Sequence, residues 1–218
     1  MNRTPPLPSP APRDDKERAV LEAAASVFLE HGFSAATTDT IQRKAGVSKA
    51  TMYACFPSKE AIFTAVIERE CMAMAESFKT MQPIKGRVAT TLTELGMTYL
   101  RLVLSPSAMA LFRVIVAEAP RFPNMGRLFY LAGPKVVNEK ITAYLTEAAK
   151  TGEINIQSIG AAAAASLFTS MLRGEAHLEY LTHPAANPSD AQMDLWVQNA
   201  VTTFLGAYGA TKPPRRRA

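Results

Sequence analysis

The 218-residue sequence predicts an all-α fold, and three observations carry that expectation. Apolar residues recur at three- and four-residue spacing through most of the chain. No window alternates β-branched and polar residues between hairpin turns, as strands would require. Each periodic stretch is also bounded by a capping Ser or Thr, a Gly or a Pro.

A tail over residues 1–13, with five prolines in its first twelve positions, is expected to stay disordered. Asp14 with Glu17 predicts a capping-box start to the first helix. Val20, Ala24, Val27, Phe28 and His31 then share one face, and Gly32 supplies a left-handed stop. Thr37 and Thr38 cap a short helix running through Ile41 to about Lys44, ended by Gly46. Ser48 caps the next, Lys49 to Cys55 or Phe56, which Pro57 ends because the residue before proline is forced out of the helical region. Ser58 caps a longer helix from Lys59 toward Phe78, with Ile62, Phe63, Val66 and Ile67 inward and Gln82-Pro83 as its stop. Further helices are expected over Arg87 to Leu104, Ala108 to Ala119, Met125 to Lys150, Ile159 to Leu181 and Ser189 to Tyr208.

Composition narrows the function classes. Apolar residues make up 48% of the chain, enough to bury a core. No apolar run reaches the roughly 20 residues of a membrane span, and no apolar run follows the N-terminus as in a secretory signal. Two cysteines suit a reducing compartment, so the expected location is cytoplasmic, with no membrane partner. The net charge of +5 comes from the ends: apart from Arg3, Lys212, Arg215, Arg216 and Arg217, 19 basic residues face 19 acidic ones. Residues 209–218 are expected to be a basic disordered tail. Gly-x-Ser-x-Gly, HExxH, P-loop and Rossmann fingerprints are all missing, so an enzyme is not expected. His31, His177 and His183 lack metal-ligand spacing, and neither a metal nor a cofactor is expected.

The informative segment is AGVSKATMYACFPSKEAIF, residues 45 to 63. Two short helices joined by Ala45-Gly46-Val47-Ser48 form a helix-turn-helix, with Met52 and Phe56 turned to the core. The second helix would then present Lys49, Ala50, Thr51, Ala54 and Cys55 to a major groove about 12 Å wide, where small side chains permit close approach. Tyr53 and Lys59 suit phosphates, and the helix starts at Thr37, Thr38 and Lys59 place free backbone N–H groups where an anion is favoured. Spacing alone leaves an ordinary αα-hairpin equally open.

Over Arg18 to Ile67 the sequence resembles the DNA-binding domain of the TetR/AcrR family of bacterial transcriptional regulators. The resemblance rests on Gly32-Phe33, the Thr37-Thr38 start, Ile41, Ala45-Gly46-Val47-Ser48, Tyr53, Phe56, Ser58-Lys59-Glu60 and the apolar pair after it. It implies that Thr38, Lys49, Ala50, Thr51, Tyr53 and Lys59 occupy positions used on operator DNA. Two positions depart from the pattern. Cys55 stands where many members have histidine and cannot supply the same phosphate contact, and Gln42, where a small alanine is usual, is expected either to add a DNA contact or to face solvent. A redox switch at Cys55 is not expected, because no resolving thiol lies near it.

The resemblance further implies a domain over 14–67 for double-stranded operator DNA and one over 68–208 that binds a small apolar effector and forms a homodimer. The expected activity is that of a repressor on a palindromic operator. The block LFRVIVAEAPRFPNMGRLFYLAGPKV is similar, more loosely, to the AefR-like branch. Candidate pocket residues are Phe78, Leu95, Tyr99, Phe112, Val116, Met125, Phe129, Phe168 and Met171, with Met81 and Tyr130 beside them. Fewer than half should touch a ligand, the others serving the core. Arg113, Glu118, Arg121, Arg127, Glu175 and His177 are the polar groups expected near the pocket. Ala164, Phe168, Met193, Trp196, Val197, Val201 and Phe204 form a wide stripe on the last two helices, which can serve a dimer interface or the chain's own core.

Overall fold

The computed structural model describes residues 13–78 and 84–210, and these are helical throughout apart from turns and one isolated bridge, Ile154 with Gly209. The tails up to residue 12 and from residue 211, Met81 and the predicted Gln82-Pro83 stop lie outside the described residues. The chain divides into two compact units, one ending at Ile67 and the other starting at Glu68.

The first unit contains α1 (Arg13–Ala35), α2 (Thr38–Ala45), α3 (Lys49–Cys55) and the opening turns of α4 (Lys59–Ser77). Helix α1 begins two residues earlier than an Asp14 cap would start it. Asp14 is therefore inside its first turn and not the N-cap, where with Asp15 it complements the helix dipole. Gly32, at φ 78° and ψ 167°, breaks the helix and re-aims the chain so that Phe33 turns inward. Phe28, Phe33 and Phe63 then meet, with centroids 4.8 to 5.7 Å apart, and all three are almost wholly buried. Such side chains stabilise by about 1.5–3 kcal/mol each through removal from water. His31, expected on the same face, is instead exposed beside Glu30, because the buried stripe ends at Phe28 and the chain turns at Gly32.

The second unit holds α5 (Val88–Val103), α6 (Pro106–Glu118), α7 (Pro123–Ala132), α8 (Pro134–Lys150), α9 (Ala161–Thr182) and α10 (Asp190–Tyr208), together with the C-terminal part of α4. The expected single helix from Met125 to Lys150 is two. Pro134 lacks an N–H and Gly133 takes φ −109°, ψ −88°, which stops α7 and starts α8. Helix α6 starts at Pro106 under a Ser105 cap, two residues before the expected Ala108.

Leu92, Leu100, Ile141, Leu145, Phe168, Leu172, Val197 and Phe204 form the centre of one core drawn from α5, α8, α9 and α10. Gly96 is what lets α5 approach α9 and α10: a Cβ there would stand 2.9 Å from Val197 Cγ1 and 3.1 Å from Leu172 Cδ2. The end of α10 is tied back by Asn155 N–H to the Tyr208 carbonyl at 2.7 Å and by Ala210 N–H to that of Glu153 at 3.1 Å. Among the described residues no single helix is long and apolar enough to cross a membrane; α5 and α6 together would have to do so across a 62° bend.

Candidate nucleic-acid interface and effector cavity

Helices α2 and α3 are capped as their sequences dictate. Thr37 Oγ1 accepts the Thr40 N–H at 3.1 Å, Ser48 Oγ accepts that of Thr51 at 3.1 Å, and Gly46 adopts the left-handed conformation (φ 66°, ψ 27°) that closes α2. A side chain at position 46 would be strained, so glycine is required by the turn itself. Gln42 adds a bond that sequence reasoning missed: its Nε2 donates to the Val47 carbonyl at 2.6 Å across this turn. Gln42, one of the two departures from the resemblance, thus stitches the two helices together. Met52 and Phe56 are buried, as expected, and fix the rotation of α3.

That rotation exposes Lys49, Ala50, Tyr53 and Ala54, while Thr51 and Cys55 are half-buried. Thr51 shares a shallow cleft with Asp15, Lys16 and Ala19 of α1, and its hydroxyl lies 2.8 Å from that of Ser48. The spacing predicts Tyr53 in a supporting place and Thr51 facing the groove, whereas the structure turns Tyr53 outward and Thr51 toward α1. The Tyr53 hydroxyl pairs with that of Thr38 at 3.2 Å, so these two groups form one polar patch at the α2–α3 edge. Lys49 Nζ donates to Asp39 Oδ1 at 2.9 Å, and this bond, with the carboxylate charge, raises the ammonium pKa above its ordinary value.

Lys59 is placed differently from the phosphate role first expected. Its ammonium donates to the carbonyls of Phe33 and Ala36 at 2.9 and 3.0 Å and lies 4.4 Å from the Phe33 ring centroid. Two of its three protons are therefore committed inside the unit, where they hold the α1–α2 loop and leave Thr37 and Thr38 correctly aimed.

In the second unit an apolar cavity of about 80 Å³ is walled by Tyr99, Leu102 and Val103 of α5, Phe112 of α6, Phe129 of α7, Pro134 and Val137 of α8, and Arg173 and His177 of α9. Of the nine pocket candidates, Tyr99, Phe112 and Phe129 are brought together here. Phe78 and Leu95 line a separate cleft toward Lys140 and Glu147, and Met171 another against α10. Phe168 is wholly buried in the core, Met125 is buried in α7 outside the cavity lining, and Val116 is 51% exposed. Of the polar candidates only His177 reaches the cavity; Arg113 donates to the Tyr180 carbonyl at 3.2 Å. Arg173 was missed. It lies four residues before His177, but Gly174 (φ 44°, ψ −146°) breaks α9 between them, so helical spacing does not mark it.

The ring of His177 meets Phe112 edge-on, centroids 5.1 Å apart, and Phe112 meets Phe129 at 5.9 Å. Burial, reinforced by the Arg173 charge, lowers the His177 pKa below 6.5. Burial raises that of Tyr99, against the opposing pull of Arg173. Gly133 also belongs to the cavity lining, and a Cβ on it would stand 3.1 Å from Cys71 Sγ of α4. Burial pushes the Cys71 thiol up to about 11, so it stays protonated.

The candidate dimer residues require correction. Ala164, Phe168, Met193, Val197, Val201 and Phe204 are all buried against the chain's own core, with Trp196 partly buried against it. The opposite faces of the same helices are exposed and carry Ala163, Leu167, Ser170 and Leu178 on α9 and Leu195, Thr202 and Gly206 on α10. No group of three or more His, Cys, Asp or Glu residues able to hold a metal occurs among the described residues.

A capped, glycine-turned helix pair, followed in the sequence by a separate helical bundle with an apolar cavity, is the element order of a helix-turn-helix transcriptional regulator. The family model for bacterial regulatory proteins of the tetR family matches residues 20–66, and that for the C-terminal domain of AefR-like transcriptional repressors matches residues 90–210. The chain belongs to the TetR family of transcriptional regulators and is not an enzyme. It is similar to the flavonoid-responsive regulator FrrA, with 32% identity, a TM-score of 0.74 and coverage of 93% of this chain and 99% of that one. It is 43% identical over 58 residues to the HTH-type transcriptional activator FasR of Mycolicibacterium smegmatis, covering 27% of this chain and 26% of FasR. It is 29% identical over 140 residues to the HTH-type transcriptional regulator RutR of Escherichia coli K12, covering 60% of this chain and 55% of RutR. These two matches thus span from a quarter to just over half of the curated relatives' own lengths.

Proposed function

We propose that this regulator is a homodimeric repressor that binds a palindromic operator and is released from it by a small, largely apolar effector held in the α5–α9 cavity. The observation that carries this reading is the contact of the cavity with α4. Gly133 at the cavity wall packs on Cys71, and α4 is the helix that begins at Lys59, directly after α3. An effector that displaces Gly133 acts on a helix belonging to the reading unit as well. To release DNA it must favour the arrangement unable to bind, since equal affinity for both arrangements shifts nothing.

The base-facing residues in this reading are Lys49, Ala50, Tyr53 and Ala54, with Thr37, Thr38 and the starts of α2 and α3 on phosphates. The relative FrrA, described as flavonoid-responsive, supports a small-molecule effector, and the AefR-like match supports repression. The second copy would dock on the exposed, small-residue faces of α9 and α10. Selection of bound DNA from a random pool with the full chain tests the reading. It should return one palindrome with half-sites about one helical turn, roughly 34 Å, apart. A thermal-shift screen should then find apolar compounds that both stabilise the protein and release that DNA. Recovery of DNA without sequence preference at physiological salt would overturn it.

A further inference from the structure

The α5–α9 cavity is apolar on its walls and unbalanced in charge. Leu102, Val103, Phe112, Phe129 and Val137 contribute hydrocarbon, and the lining contains no Asp or Glu. Arg173 is half-buried and makes no ion pair among the described residues. A cation withdrawn from water without a counter-charge is unfavourable, and a ligand anion relieves the cost. Two further groups converge with it. Tyr99 is 7% exposed and offers a hydroxyl, and His177 offers its ring edge, with the Arg173 charge acting on both.

The protonation states sharpen the chemistry. Tyr99 stays a phenol and so a donor, and His177 is held neutral, which leaves Arg173 as the one charged group in the lining. A guanidinium presents parallel N–H groups that match a carboxylate in a two-point fork, and a phenolate in a one-point contact. The other walls favour a ring. Phe112 lies between Phe129 and His177, and such aromatic faces and edges accept a further ring in offset or edge-on contact. At about 80 Å³ the cavity exceeds the about 10–15 Å³ that one water needs but is smaller than the roughly 150 Å³ that holds a benzene ring, so a ring enters only as the walls give way.

We propose that the cavity takes a ring-bearing organic acid, its ring against Phe112 and Phe129 and its ionised carboxylate paired with Arg173, with Tyr99 donating a hydrogen bond. This rests on the effector reading above and deepens it by naming the ligand's charge and shape. Arg173 thereby becomes the residue that selects acids over neutral compounds of equal size.

Benzoate and cinnamate, each compared with its primary amide, test this by calorimetry on the full chain, alongside operator release. Wild-type protein should bind at least one acid ten-fold or more tightly than its amide, Arg173→Met should abolish that preference, and Arg173→Lys should restore part of it. Circular dichroism and Tm confirm that the variants fold. Acid and amide binding alike, or an acid preference that survives Arg173→Met, would overturn the anionic assignment while leaving the effector reading intact. Binding of neither acid would also overturn it. An Arg173-dependent acid preference without any change in operator affinity would uphold this inference and remove the effector reading.

Discussion

At the scale of single residues, Lys59 and His177 carry the clearest consequences. Lys59 binds two carbonyls and a ring face within its own unit, so its removal should act on stability before it acts on DNA. Hydrogen bonds to charged groups contribute about 1.5–3 kcal/mol when well formed. Lys59 is only part-buried, and a loss toward the lower end is expected for Lys59→Ala. The measurement is chemical denaturation, together with the salt dependence of operator binding. Midpoints should fall while the slope against log salt stays unchanged, whereas a phosphate contact would reduce that slope by about one unit. His177 supplies a pH dependence whose sign is set by burial. Its folded pKa lies below 6.5, so on acidification the unfolded chain takes up a proton that the folded one resists. Stability should decline as pH falls from 6.5 toward the folded value, and Tm scans should show a shallower decline in His177→Gln.

At the scale of elements, local signals reached further than long-range ones. Thr37, Ser48 and Gly46 mark the ends of α2 and α3 in the sequence because each cap is made within three or four residues. The break between α7 and α8 was hidden, since apolar residues keep helical spacing through Met125, Phe129, Val137 and Ile141, and that rhythm masked Gly133-Pro134. Rhythm also shows which face is buried without showing what buries it. That is why Met193, Val197, Val201 and Phe204 are expected at an interface, with the chain's own core as the alternative, and prove to be core. Arg173 was obscure for another reason: a cavity is made by five elements, and no local pattern marks its polar group.

Two glycines test the packing of these elements. Gly96→Ala would place a methyl 2.9 Å from Val197 Cγ1. The valine is short and stiff, so relief requires α5 and α10 to separate. Overpacking typically costs about 1–3 kcal/mol, and the better helix propensity of alanine, about 0.8–1 kcal/mol, offsets part of it. A net loss of about 1 kcal/mol in denaturation is expected, reduced by Val197→Ala in the same chain. Gly133→Ala meets Cys71 Sγ and the Phe129 carbonyl at 3.1 and 3.3 Å. Pairing it with Cys71→Ala should recover about 1 kcal/mol of its cost, a coupling that a double-mutant cycle measures directly. Additive losses would mean that the cavity wall and α4 do not press on each other.

At the scale of the whole molecule, neutrality of the body outside the tails leaves little uniform field to hold DNA, so affinity has to come from local contacts, which the proposed dimer would make twice. The exposed faces of α9 and α10 are where the second copy would dock, with Leu167, Leu178 and Leu195 exposed at 40%, 61% and 55% amid small side chains. The core faces of these helices are already closed, so charges placed on the outer faces should separate subunits without unfolding them. Leu167→Glu with Leu195→Glu is therefore expected to give a folded monomer in analytical ultracentrifugation, with helical content unchanged. Linking two reading units raises affinity by about 10²–10⁴ through effective concentration alone. The monomer should accordingly lose about that factor on the palindrome while its affinity for an isolated half-site stays the same. Retention of palindrome affinity by a proven monomer would show that a single unit does the binding, and the docking face would then have to be sought elsewhere on the second unit.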